Sequence, residues 1–409
     1  MKPKIEANKT MNGIFSLFNI FSLIYLFRGL QLLNQLRREW IPLKTEPLTT
    51  HKKYLGDQAS FFVAVPIGVF LHEGGHALAV WLFGGQVAEF GYRVFWGYVV
   101  PQGTFTAFQD WFISLAGTLG NLIFGLVLWL LLRNHISSSY RYFALRAFRF
   151  QLHFALIYYP IFTLFLPVGD WTTIYNFQAT PIASAITAVS HLTILLLFWQ
   201  ADRSGWFERP AFDTTEAQAQ FQALQQHITL NPQDAQAQLQ YIDSIRRGGA
   251  TNKAKYLLNQ YLKQEPNSPN AYLQRAAITS ERNISHAAAD DVQKALQMGL
   301  SDPIGLIFAH QLLGRYYLER NEGQTAVTHF SQALAAAKPN QSLLQQAQLH
   351  HQRSRAYRRL QQHDLAFQDM QQAIKLAEQA NDQSAIAYYR DELKIIEDHA
   401  GRKFTTGTD

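Results

Sequence analysis

The chain contains no cysteine. Disulfides and thiolate metal sites are therefore excluded, and any metal must be held by imidazole and carboxylate groups. Acidic residues are scarce in the apolar half: between Asp110 and Asp202 the only one is Asp170. The apolar run Ile14–Leu33 lacks a small-residue cleavage site and carries Arg28, so a removable signal segment is not expected there. The second half lacks net charge. All of the net +6 belongs to residues 1–210, with 16 basic against 10 acidic residues, while the remainder balances at 20 of each. A basic excess confined to the apolar half reads as membrane-flanking charge, and no nucleic-acid partner is expected.

What the chain does have is an apolar run from about Ala59 to Phe83 with His72-Glu73-Gly74-Gly75-His76 set inside it. Two histidines four apart on a helix share one face, so both imidazoles can reach one metal. Glu73 points about 100° away, which suits a carboxylate that works on water without ligating the metal. The run has bilayer-spanning length. A carboxylate at bilayer depth costs on the order of 2.5–3.5 kcal/mol on insertion scales, so a functional reason for it is expected. Two histidines make an incomplete catalytic zinc site, which takes three protein ligands and an open position. Glu89 and Asp110 flank the next stretch, but Asp170, at the end of a later apolar span after a Pro and a Gly, is the expected third ligand.

Around this helix the spacing predicts further membrane elements. Residues 1–10 are polar and basic, and Gly13–Leu33 is either a short span or an amphipathic helix in the interface. Residues 34–57 read as a polar connector. Pro66 is expected to kink the 59–83 helix one to two turns before the histidines. From Phe90 to Val100 alternate positions are apolar or aromatic, a strand pattern, with a turn signal at Pro101-Gln102-Gly103 and a return strand from Thr104; an interfacial aromatic belt is the alternative. Phe112–Leu132 is a second span, with Gly117, Gly120, Gly125 and Asn121 allowing another helix to approach closely. A strongly basic loop with Arg133, Arg141, Arg146 and Arg149 follows, then spans at Gln151–Phe165, ending in Leu166-Pro-Val-Gly-Asp170-Trp, and at Pro181–Trp199. His153 and His191 within these spans read as packing histidines bonded to a neighbouring helix.

After Gln200 the composition turns to Gln, Ala, Asp and Lys, and the pattern repeats. Gly314-x2-Tyr317-x8-Ala326-x3-Phe330-x2-Ala333 recurs with identical spacing as Ser354-x2-Tyr357-x8-Ala366-x3-Met370-x2-Ala373. Earlier copies run through Ile245, Ala254, Leu258 and Tyr261, and through Ala276, Ala288, Val292 and Ala295. Small residues at these positions let two antiparallel helices pack closely, and large ones fill the space between. The pattern resembles tetratricopeptide repeats without their signature Trp, which implies a module that binds proteins or peptides. The predicted fold class is all-α: a polytopic membrane helical bundle with a short β-hairpin, followed by a soluble α-helical repeat solenoid.

His72-Glu73-x-x-His76 in a span, Gly117-x-x-x-Asn121 in the next, and an Asp at the end of a later span together resemble the site-2 protease family of intramembrane zinc metalloproteases, over residues 59–199. The resemblance implies that His72, His76 and Asp170 hold Zn2+, that Glu73 activates water, and that Gly117 and Asn121 support substrate binding. It also implies that a hairpin within 87–106 offers an edge to an unwound substrate. The chain departs from the family's Leu-Asp-Gly motif, with Gly169-Asp170-Trp171 in its place, and has no room between spans for the PDZ domain some members carry. The expected domains are 1–58, an N-terminal membrane-associated helix and connector; 59–203, the intramembrane metalloprotease core; and 214–400, the repeat domain. The expected function is hydrolysis of peptide bonds in membrane-spanning proteins, with the lipid bilayer as surroundings and the repeats as a docking or regulatory module. The alternative is a catalytically inactive membrane adaptor that tethers the repeats. Three basic segments, at Arg37–Lys53, Arg133–Arg149 and Arg203, fall on one side of a four-span bundle, so the repeat domain is expected in the cytoplasm.

Overall fold

A computed structural model describes residues 2–165, 169–280, 283–337 and 342–400; the expected break at Leu166-Pro-Val lies outside them. The chain divides into two compact units, Met1–Ala254 and Lys255–Asp409. The first unit begins with α1 (Lys2–Arg38), α2 (Trp40–Lys44), α3 (Thr50–Phe62) and α4 (Ala64–Leu82). A hairpin of β1 (Gln86–Tyr92) and β2 (Gly97–Gln102) follows, then α5 (Ala107–Leu132) and α6 (Ser138–His153). A π-helical turn over Phe154–Tyr158 leads into α7 (Tyr159–Phe165), then α8 (Asp170–Ile174), α9 (Pro181–Arg203), α10 (Thr215–Leu230) and α11 (Ala235–Arg247). The helix α12 (Thr251–Gln264) carries the chain into the second unit.

Three helices among the described residues are long and apolar enough to cross a membrane: Thr50–Leu82, Ala107–Leu132 and Pro181–Arg203. Their outer faces expose large apolar side chains, among them Leu78, Trp81, Ile123, Leu131, Ile182 and Leu197, as lipid-facing surfaces do. The first starts nine residues earlier than the apolar run, because Thr49 caps it by accepting the Lys52 N–H. It is interrupted at Val63, where Pro66 has no N–H to return to the Phe62 carbonyl. The capping box of Thr106 and Gln109 starts α5.

Two expectations are corrected here. The basic stretch after Leu132 is not a loop: Arg141, Arg146 and Arg149 lie on α6, which runs through the π turn into α7, so Gln151–Phe165 is the end of a longer helix and not one of the three candidate spans. The helix tolerates these arginines because Arg146 pairs with Asp57 and Arg149 with Asp202, both at 2.6 Å. The hairpin also turns elsewhere than predicted. The strands pair from Gln86↔Gln102 to Tyr92↔Gly97, so the turn is Arg93–Trp96, in the middle of the alternating run, and Pro101 lies within β2. Val94 holds φ +64 there, a conformation costly for a β-branched residue and invisible in composition.

Inside this unit α4 packs on α5, and α6 reaches both through the buried amide of Gln151, whose Nε2 donates to the Ala64 carbonyl at 3.0 Å. The second unit pairs α13 (Pro269–Thr279) with α14 (His286–Gln297), α15 (Pro303–Glu319) with α16 (Gly323–Ala336), and α17 (Leu343–Arg359) with α18 (His363–Gln379), followed by α19 (Gln383–Ala400). The small repeat residues Ala276, Ala288, Ala326, Ala333, Ala366 and Ala373 are all fully buried. A Cβ on Gly314 would lie 2.6 Å from the Phe330 ring, so small and large positions are complementary across the pair. The architecture is the predicted one, a membrane helical bundle with a short hairpin followed by a helical repeat array.

Candidate metal centre

The three expected ligands come together although Asp170 is 98 residues from His72. Asp170 Oδ2 lies 3.0 Å from His72 Nε2 and 3.1 Å from His76 Nε2, and the two Nε2 atoms are 3.1 Å apart. Among the described residues this is the one cluster of His and carboxylate groups that brings three ligand atoms within 4.8 Å of one another. His72 and His76 are buried in α4; Asp170 is the first residue of α8.

The donor chemistry fits a metal. His76 Nδ1 is 2.7 Å from the Ile113 carbonyl, which can only accept, so Nδ1 carries the proton and Nε2 presents a lone pair. A lone pair, a second imidazole nitrogen and a carboxylate oxygen thus converge on one point. Atoms about 2.0–2.1 Å from a tetrahedral zinc stand about 3.3 Å apart, close to the separations observed. His72 Nδ1 is buried without a hydrogen-bond partner among the described residues.

Each side chain is placed by a local cause. The helical spacing of four puts both histidines on the face of α4 turned to α5. There Gly117 is required, since a Cβ on it would lie 2.3 Å from His76 Nε2 and 2.7 Å from His72 Nε2. At Gly120 a Cβ would lie 2.4 Å from the Leu71 carbonyl, so the helices meet backbone to backbone. Asn121, one turn beyond Gly117, is buried, with Oδ1 lacking a partner among the described residues. Glu73 is buried and stands outside the three-ligand cluster, as its position on the helix predicts. The hairpin covers it: a Cβ on Gly97 would lie 2.5 Å from Glu73 Cγ. Asp170 follows Gly169, whose φ of +105 only glycine adopts readily.

Sequence reasoning missed Tyr159, Gly97 and the Ile113 carbonyl. Tyr159 Oη accepts the Asp170 N–H at 3.1 Å, and its ring meets that of His72 edge-on with centroids 5.5 Å apart. No motif marks it. His191 behaves as expected of a packing histidine, with Nε2 donating to the Leu156 carbonyl at 2.8 Å.

Residues 61–212 match the family described as Peptidase M50B-like. No curated protein sequence matches the chain. Among solved structures, one titled as the crystal structure of MamA protein is similar at 16% identity, covering 41% of this chain and 87% of its own, with a TM-score of 0.32. MamA residues 41 to the end from Desulfovibrio magneticus RS-1 are similar at 16% identity, over 41% of this chain and 97% of theirs, with a TM-score of 0.31.

Proposed function

Taking residues 61–212 as the Peptidase M50B-like segment of a site-2 protease-like membrane protein, we propose that this chain is an intramembrane zinc metalloendopeptidase that cleaves membrane-spanning proteins. The observation that carries the reading is the convergence of His72 Nε2, His76 Nε2 and Asp170 Oδ2, three atoms able to ligate one metal, beside a buried Glu73. His72, His76 and Asp170 would hold the metal. Zinc bound there would supply Lewis acidity and would lower the pKa of a bound water from 15.7 to about 7. Glu73, off the ligand face, takes the proton from the attacking water and returns it to the leaving amine. The amide of Asn121, whose buried oxygen has no partner among the described residues, orients the substrate backbone, and Gly117 leaves the space in which the ligands meet. The hairpin offers a strand edge to a substrate that must unwind, because a helical backbone keeps its carbonyls in hydrogen bonds.

The domain division 59–203 and 214–400 belongs to the same reading, with the repeats as a module for a protein or peptide partner. A cytoplasmic side for the repeats is supported by charge. Lys52 and Lys53 start the first candidate span and Arg203 ends the last, and Lys53 Nζ meets the Gly249 carbonyl of the chain that follows at 2.7 Å, so these basic residues flank one side. The test is metal content of purified full-length protein: about one zinc per chain, lost in His72→Ala and in His76→Ala. Wild-type protein without zinc would favour the inactive adaptor.

A further inference from the structure

The helix α8, which begins with Asp170, has five residues and no side-chain N-cap, too short to hold a ligand in place by itself. It is tied at both ends. At its start the Asp170 N–H is held by Tyr159 Oη at 3.1 Å, and Gly169 gives that hydroxyl room, since a Cβ there would stand 2.9 Å from it. At its end Tyr175 bonds His191 Nδ1, while His191 Nε2 donates to the Leu156 carbonyl at 2.8 Å. A carbonyl only accepts, so Nε2 carries the proton, Nδ1 accepts, and the Tyr175 hydroxyl is the donor. The Leu156 carbonyl is open to this because Pro160, four residues on, has no N–H. The adjoining π turn, closed by the Tyr159 N–H on the Phe154 carbonyl, sets where Tyr159 leaves the helix.

We infer that Tyr159 is a positioning residue for the metal centre: its hydroxyl fixes the backbone of Asp170 and so aims Oδ2 at the two histidine nitrogens. This rests on the metal reading proposed above. The ring packs against His72 while the hydroxyl alone holds Asp170, so the two roles separate in Tyr159→Phe. Removing an outer-shell partner of a ligand typically lowers metal affinity about 10- to 100-fold. The experiment titrates full-length protein in detergent with zinc against a chelator, and records the cobalt(II) d–d spectrum, for wild type, Tyr159→Phe, Asp170→Ala and His72→Ala. The expected result is zinc affinity about 10- to 100-fold weaker in Tyr159→Phe, a cobalt spectrum shifted toward that of Asp170→Ala, and an unchanged melting temperature of the metal-free protein. Wild-type affinity and spectrum in Tyr159→Phe, with metal lost in His72→Ala, overturns the inference and leaves the metal centre standing. Wild-type protein that takes no zinc overturns both.

Discussion

The missing side chain of Gly117 is the space that His76 Nε2 occupies, 2.3 Å from where a Cβ would stand. The glycine of the second span is therefore a condition for the histidines of the first to meet Asp170. Gly117→Ala is expected to push α5 from α4, at a cost of about 1–3 kcal/mol for overpacking, and to abolish zinc retention after dialysis. Stoichiometric zinc in that variant would show that the site tolerates a methyl group.

Glu73 is buried and outside the ligand trio, so its loss should separate binding from chemistry. Glu73→Gln is expected to keep its zinc and to cleave a single-span membrane substrate in vesicles about 10²- to 10⁴-fold more slowly. Cleavage at the wild-type rate would rule out the proposed proton carrier.

Acid should loosen the repeat array through His351. Burial against Tyr388 and Tyr389 pushes its pKa down to about 4, with Glu392 opposing and Arg355 and Arg358 adding to the effect. The folded value is below the unfolded one of about 6.5, so this stability is complete above pH 6.5 and is lost as pH falls toward 4. At about 1.4 kcal/mol per pH unit, the loss approaches about 3 kcal/mol. His351→Leu is expected to flatten the fall in unfolding midpoint between pH 7 and 4.5; an unchanged slope would assign the acid sensitivity to other groups.

A reporter fused after Arg203 should be active when it requires the cytoplasm and silent when it requires export. The opposite pattern would place the hairpin in the cytoplasm and reverse the orientation inferred from charge.

Much of this site is legible in the sequence for a physical reason. Helical periodicity alone puts His72 and His76 on one face, and the lack of other acids between Asp110 and Asp202 leaves Asp170 as the carboxylate to join them, which is the cluster found. The repeats are equally legible, since Gly314 opposite Phe330 records in residue size how two helices meet. The arginines of α6 mislead because their partners, Asp57 and Asp202, are 89 and 53 residues away. The hairpin turn misleads because Val94 takes a glycine-like φ in a run whose aromatic alternation never pauses. Tyr159 is silent because a hydroxyl that holds a backbone N–H leaves no mark on spacing.

The candidate span Thr50–Leu82, whose second part α4 carries both histidines, is fastened by residues far beyond it in sequence. Its first N–H, on Thr50, is held by Asp213 at 3.1 Å, and Lys53 Nζ rests on the Gly249 carbonyl at 2.7 Å. Asp213 and Gly249 lie past the last span, in the chain leading to the repeats. Severing the protein after Phe212 would strip both anchors from the histidine helix at a single stroke. The smallest fragment that keeps both anchors therefore extends through Gly249, and proteolytic shedding of the repeats upstream of that point would reach the metal site through this mooring.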